Sequence, residues 1–246
     1  MVIFVLNVLF NSCSQDTRKM EDLKTSQQVY AELKSSVQDI SDSYYYRDRE
    51  LNDFLFDAIY NKFDIKYEDK NFKDNVYASL RGDISVVNDL KKIVVDLIDT
   101  RDEYEFESYG SYLLDGLNKW GRSIFFLFSQ DDVLSNGRLV RLKASHDVSG
   151  LEYIKTKLNS IRAKFDELLK LIQNIINNAA ISADKYIKTK NFIYKKEILA
   201  KLQTFFLSNA LFQLCTNEFC RLKNELLILY LQLKNKSYMV IKSILE

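Results

Sequence analysis

Few residues in this sequence are of a type and spacing that could do chemistry, and the first of them is Cys13. It follows MVIFVLNVLFNS, in which Val2 to Phe10 are apolar except for Asn7. About nine apolar residues are too few to cross a bilayer, which takes roughly 20, but they suit the apolar region of a secretory signal. Phe10-Asn11-Ser12-Cys13 then reads as a bacterial lipobox: a bulky apolar residue, two small or polar ones, and the thiol that receives a lipid. Residues 1–12 are therefore expected to be a signal peptide and residues 13–28 a lipidated tether. Signal peptides start with Lys or Arg, and none precedes Arg18, as expected if translation begins upstream of Met1. The alternative is an apolar N-terminus that packs on the folded body and leaves Cys13 an ordinary thiol.

The other thiols, Cys215 and Cys220, are five residues apart. On one helix they would lie about 7.5 Å apart along the axis and face different directions. A disulfide needs α-carbons within roughly 7 Å. Two buried free thiols are expected, unless Thr216-Asn217 breaks the helix. His146 is the only histidine. Without a neighbouring Cys or acidic cluster it makes neither a metal site nor a nucleophile–base pair, so it is read as a surface residue. The charged run Arg101, Asp102, Glu103, Glu105 and Glu107 is explained by a solvated helix start. No GxSxG, HExxH, phosphate-binding loop or GxGxxG pattern occurs. The chain is thus expected to be no enzyme and to hold no cofactor or metal, which leaves binding as its trade.

One tripeptide invites a binding story directly. Arg81-Gly82-Asp83 in an exported protein suggests cell adhesion. The competing reading is local: Gly82 ends one helix in the left-handed conformation, and Asp83 caps the next. The capping reading is preferred because Ile84, Val87, Leu90, Val94 and Leu97 begin an apolar helical stripe at once.

The elements that must position these residues are helices. The sequence has no proline and only six glycines in 246 residues, whereas turn-rich β folds need both. The fold class expected is all-α, a compact multi-helix bundle with a long apolar C-terminal helix, occupying residues 29–246. Lys and Arg number 35 against 34 Asp and Glu, a balance that argues against a nucleic-acid binder.

Met20, Leu23, Val29, Leu33, Val37 and Ile40 mark a first helix, with a break at Ser41 to Tyr46. Leu51, Leu55, Ile59 and Phe63 mark a second, and Phe72, Val76 and Leu80 a third. Tyr104 to Phe128 concentrates aromatic residues, read as core, with Gly110, Gly116 and Gly121 where a helix kinks or another approaches closely. Ser129 to Gly150 is expected to be a loop with a short helix around Leu139. Ser149 and Glu152 match a capping box. Leu151, Ile154, Leu158, Ile161, Phe165, Leu168, Ile172 and Ile175 keep a 3,4 spacing. This heptad seam needs a partner helix, from the same chain or another subunit. Helix resumes from Ala183, with breaks expected near Thr189 and Ser208. Leu222, Leu226, Leu229 and Leu233 form the last seam, widened by Leu227, Ile228, Tyr230 and Leu231. That width predicts burial on several sides, deep in the bundle or at a homodimer interface.

The lipobox, in the looser form seen in spirochaetes, the absence of proline and the helical body together resemble the Borrelia surface lipoproteins related to the complement regulator-acquiring surface protein. VYASLRGDISVVNDLKKIVVDL, residues 76–97, resembles that family's early helix pair, a Tyr-x-Ser-Leu followed by Ile-x-x-Leu-x-x-Ile. Leu113-Leu114 and Trp120-Gly121 resemble a family helix with a Trp-Gly pair after a Leu-rich turn. The likeness covers residues 72–175, and the C-terminal third departs from it, being more apolar and holding two extra cysteines. The resemblance implies a helical domain displayed on the cell outer membrane, lipid-anchored through Cys13. It implies a host serum protein as partner, a factor H-like complement regulator or a complement component, and for several members a homodimer through the C-terminal helix. The second expectation is an adhesin or vector-stage surface protein for extracellular matrix, plasminogen or cell receptors.

Overall fold

The computed structural model describes residues 24–51, 70–98, 104–129, 133–209 and 218–244, with backbone alone for 95–98, 104–108 and 204–209. Cys13, Cys215 and the helix expected from Leu55 to Phe63 lie outside the described residues. The described residues form eight helices: α1 (Ser26–Tyr45), α2 (Lys70–Ser79), α3 (Ile84–Ile98), α4 (Tyr104–Phe125), α5 (Asn136–Lys143), α6 (Val148–Thr189), α7 (Ile193–Asn209) and α8 (Glu218–Lys242). No strand occurs among the described residues. The all-α bundle expected from the sequence is what the chain forms.

α6 is the axis of the bundle. Its 42 residues span roughly 63 Å at 1.5 Å per residue, and α1, α3, α7 and α8 all pack along it. The heptad seam therefore finds its partners within one chain: Leu151, Ile154, Leu158, Ile161, Phe165, Leu168 and Ile172 are all buried. The next buried residue is Ile176 rather than Ile175, followed by Ala179, Ala180 and Ala183. A straight α-helix drifts about 20° per heptad against a strict 3.5 repeat, so a long seam slips by one residue. α6 ends at Thr189, as expected, with Lys190 in the left-handed conformation.

Several helix ends differ from the sequence expectation. α1 begins at Ser26, inside the stretch read as tether, because Thr25 and Gln28 form a reciprocal capping box. It also continues through Tyr44, which follows Ile40 by four residues and so stays on the buried face. α6 starts at Val148, capped by Asp147, whose carboxylate accepts the Gly150 amide at 2.8 Å. Ser149 is therefore no cap, and Glu152 pairs with Lys155 at 2.7 Å instead of reaching back. The short helix around Leu139 is present as α5.

Two readings of composition are corrected. The aromatic stretch is core only in part: Trp120 is buried with Leu113, Leu114 and Leu117, and Phe125 and Phe128 pack against the core, while Tyr112 and Phe126 are exposed. The C-terminal helix is long but not apolar all round. Phe219, Leu222, Leu226 and Leu233 face the core, while Leu227, Ile228 and Leu231 are 55%, 55% and 47% exposed. α8 packs mainly on α6, and among the described residues its other face has no partner. No described helix is long and apolar enough to cross a membrane.

α2 crosses α4 unusually closely. A β-carbon on Gly121 would lie 1.8 Å from the Asn75 carbonyl oxygen, so only glycine allows this approach. At the crossing the Tyr44 hydroxyl donates to Asn75 Oδ1 at 2.6 Å, and Asn75 Nδ2 donates to Asn118 Oδ1 at 2.8 Å. The relay ties α1, α2 and α4 together and satisfies the buried Asn75, which would otherwise cost stability. Burial pushes the Tyr44 hydroxyl well above its ordinary pKa, so it stays a donor.

Candidate functional site

The residues singled out for chemistry do not converge. His146 is an exposed residue at the turn before α6, in the left-handed region at φ 50°, as the surface reading expected. No group of three His, Cys, Asp or Glu side chains among the described residues could hold a metal ion. Cys220 is disulfide-bonded, which overturns the expectation of a free thiol there.

Arg81-Gly82-Asp83 is built into the fold. Gly82 has φ 59° and its Cβ position is filled by the Tyr46 carbonyl, so the turn requires glycine. Asp83 Oδ1 accepts the amides of Ser85 at 2.8 Å and Val86 at 3.4 Å, capping α3. Arg81 pairs with Asp166 of α6 at 2.6 Å. Asp48 adds a further tie, accepting the Ile84 amide at 2.9 Å and the Tyr46 hydroxyl at 2.8 Å, and those two bonds hold its carboxyl below the ordinary range. The capping reading of this tripeptide describes what its residues do.

Two open grooves lie along the line where α4 faces α6. Their shared wall is a ridge of Leu127 and Phe165, which touches both. The first groove, about 310 Å³, runs between the end of α1 and α6 and holds Tyr44, Tyr46, Arg81, Arg162 and Asp166. Its charges are matched: Arg81 to Asp166, and Arg162 to Asp39 of α1 at 3.0 Å. The second, about 400 Å³, lies between α4 and α8 over α6. Trp120, Phe126 and Ser123 come from α4 and its end, Ile161 from α6, and Leu227 and Tyr230 from α8. Among the described residues of its lining, Lys119 and Lys223 are the charged ones.

The second groove opens beside the outer face of α8. There Leu227, Ile228 and Leu231 are followed about two turns later by Tyr238 and Met239, all of them exposed. These positions recur near one face of the helix, broken by Lys234 and Asn235. Exposed apolar residues scattered singly need no explanation, but a run of five along one helix marks a contact surface. The sequence does show this width, and it was read as burial. What it does not show is which side of α8 the bundle covers.

No family model matches the chain, and neither a characterised protein nor a solved structure shows detectable similarity to it.

Proposed function

We propose that this chain is a lipid-anchored outer-surface protein whose helical body binds a host protein, a complement regulator or complement component first of all. The observation that carries the reading is the exposed apolar stripe on α8, Leu227 to Met239. A partner helix or loop laid against it would bury side chains that now face water, at about 25 cal/mol for each Å² of apolar surface removed. The lipobox at Cys13 and the resemblance over residues 72–175 supply the surface location and the class of partner.

The experiment is inhibition of complement lysis in serum by the purified protein. The triple variant Leu227→Asp, Ile228→Asp, Leu231→Asp is the comparison, with thermal unfolding as the check on folding. Inhibition by the parent and its loss in a variant that melts at the same temperature is the expected result. An inert parent at micromolar concentration sinks the complement reading. Metabolic labelling with a palmitate analogue, lost in Cys13→Ala, tests the anchor separately. The adhesin reading is weakened by Arg81 and Asp83, whose side chains are engaged within the fold.

A further inference from the structure

Three residues, Lys190 to Phe192, join α6 to α7, and the turn they make is tightly held. Lys190, in the left-handed conformation, donates its amide to the Tyr186 carbonyl at 2.7 Å, and Asn191 Oδ1 accepts the Ile193 amide at 3.0 Å. The sequence around this turn, KYIKTKNFIYKK over residues 185–196, holds five lysines and no carboxylate. The acids at its two borders are engaged: Asp184 pairs with Lys92 at 3.4 Å, and Glu197 accepts the Ser182 hydroxyl at 3.0 Å. Lys195 serves the hairpin itself, buried with its ammonium 4.7 Å from the centre of the Tyr186 ring. Lys185, Lys188, Lys190 and Lys196 are exposed.

Apolar side chains stand among these cations. Ile187, Phe192 and Ile193 are 42%, 41% and 56% exposed within seven residues of chain. Three of the exposed lysines lie over rings of the same hairpin: Lys185 over Tyr194 at 5.6 Å, Lys190 over Tyr186 at 5.4 Å and Lys196 over Phe192 at 5.7 Å. Such side chains suit a membrane–water boundary, where lysine stems run along apolar surface while the ammonium stays in water. A sulfated polysaccharide would need the lysines alone. Apolar residues exposed between them fit a surface that places anionic head groups over hydrocarbon. The tip is also remote from where the first helix begins. The pairs Glu32–Lys155 and Asp39–Arg162 set α1 parallel to α6, so α1 starts near the other end of α6, roughly 50 Å from Thr189.

We infer that the α6–α7 tip binds the surface of an anionic bilayer, with Phe192 and Ile193 entering between head groups and the four exposed lysines meeting the phosphates. The contact is interfacial, since no described helix is long and apolar enough to cross a membrane. The inference needs neither the proposed host partner nor a lipid on Cys13.

The test uses the full chain with Cys13→Ala, so that no acyl group can hold it to a vesicle, and with Phe192→Trp as a reporter at the tip. Trp120 is the only tryptophan of the sequence and is buried, so quenching by lipids brominated in their acyl chains reads the added indole. Phosphatidylglycerol vesicles should give saturable quenching, half-complete at roughly a few hundred micromolar lipid, and phosphatidylcholine vesicles little or none. Lys188→Gln, Lys190→Gln and Lys196→Gln together should weaken binding about a hundredfold, at about fivefold for each lysine. Ile187→Ser with Ile193→Ser keeps every charge and should weaken it about tenfold. Thermal unfolding checks that each variant is folded. An added indole left unquenched by phosphatidylglycerol overturns the inference, even where the protein sediments with the vesicles through another surface. Equal quenching by phosphatidylcholine overturns it as well. Binding unchanged by the serine pair does so too, since the contact would then be charge alone. A shift of the tip emission with heparin and none with vesicles also overturns it, by showing a polyanion site instead.

Discussion

The two grooves flanking Leu127 and Phe165 share α4 and α6 and differ in the helix that closes the other side, α1 for the first and α8 for the second. On the α1 side, Arg81 and Arg162 each reach an aspartate, and the first of these pairs joins the turn after α2 to α6. On the α8 side, the described lining is mostly apolar and aromatic, and the neighbouring helix turns apolar residues to water. The first groove is a joint, in which polar groups serve one another. The second opens beside an apolar helix face that the described bundle leaves to water. Volume alone does not separate them; the exposed apolar stripe beside the second does.

Gly121→Ala should break both grooves at once and have the largest effect. An added methyl at the Asn75 carbonyl must push α2 from α4, and we expect a loss of about 3–5 kcal/mol on denaturant unfolding. Phe165→Ala removes the ridge and should join the two grooves at a cost of about 3 kcal/mol, with the Trp120 emission shifted to longer wavelength. Arg81→Ala tests whether the first groove's pairing is structural. The pair is about half exposed, so a change of no more than about 1 kcal/mol is expected, and a double-mutant cycle with Asp166→Ala isolates the pair from the turn.

The smallest effect belongs to acid. Glu32 on α1 accepts from Lys155 of α6 at 2.6 Å and from Lys24 at 2.6 Å. Hydrogen bonding to Lys155 first, then Lys24, draws its pKa from an ordinary 4.5 down to about 2. A carboxyl whose folded pKa is depressed adds stability that is fully present above about 4.5 and is lost as pH falls through about 2. Unfolding free energies of Glu32→Gln and the parent should therefore converge between pH 4.5 and 2. A constant gap across that window would show that the contact between α1 and α6 at this point owes nothing to ionisation.

Much of the scaffold is legible in the residues themselves. The α6 seam, the turn at Arg81 to Asp83, the short helix at Leu139 and the helix end at Thr189 follow from local chemistry, which acts over three or four residues. The errors lie where local signals compete. Ser149 with Glu152 and Asp147 are both plausible caps, and the choice went to the aspartate that reaches Gly150. Tyr44, Tyr45 and Tyr46 suggest a break, but Tyr44 finds Asn75 thirty-one residues away and extends α1 to meet it. The Cys220 disulfide was not legible at all, since a cysteine's pairing depends on which thiol the fold brings to it and not on spacing along the chain.

The sequence by itself determined that the chain is helical and where most of its turns fall, because helix periodicity, glycine and capping residues act within a single turn of chain. It could not determine which face of α8 the bundle covers. Leu222 and Leu226 look no different from Leu227 and Leu231 until α6 arrives from some fifty residues upstream. Nor could it bring Trp120, Lys119, Lys223 and Tyr230 to one groove, since burial and charge pairing are properties of neighbours in space. The candidate site exists only where α4 and α8 leave α6 uncovered between them, and that gap is a decision of tertiary packing.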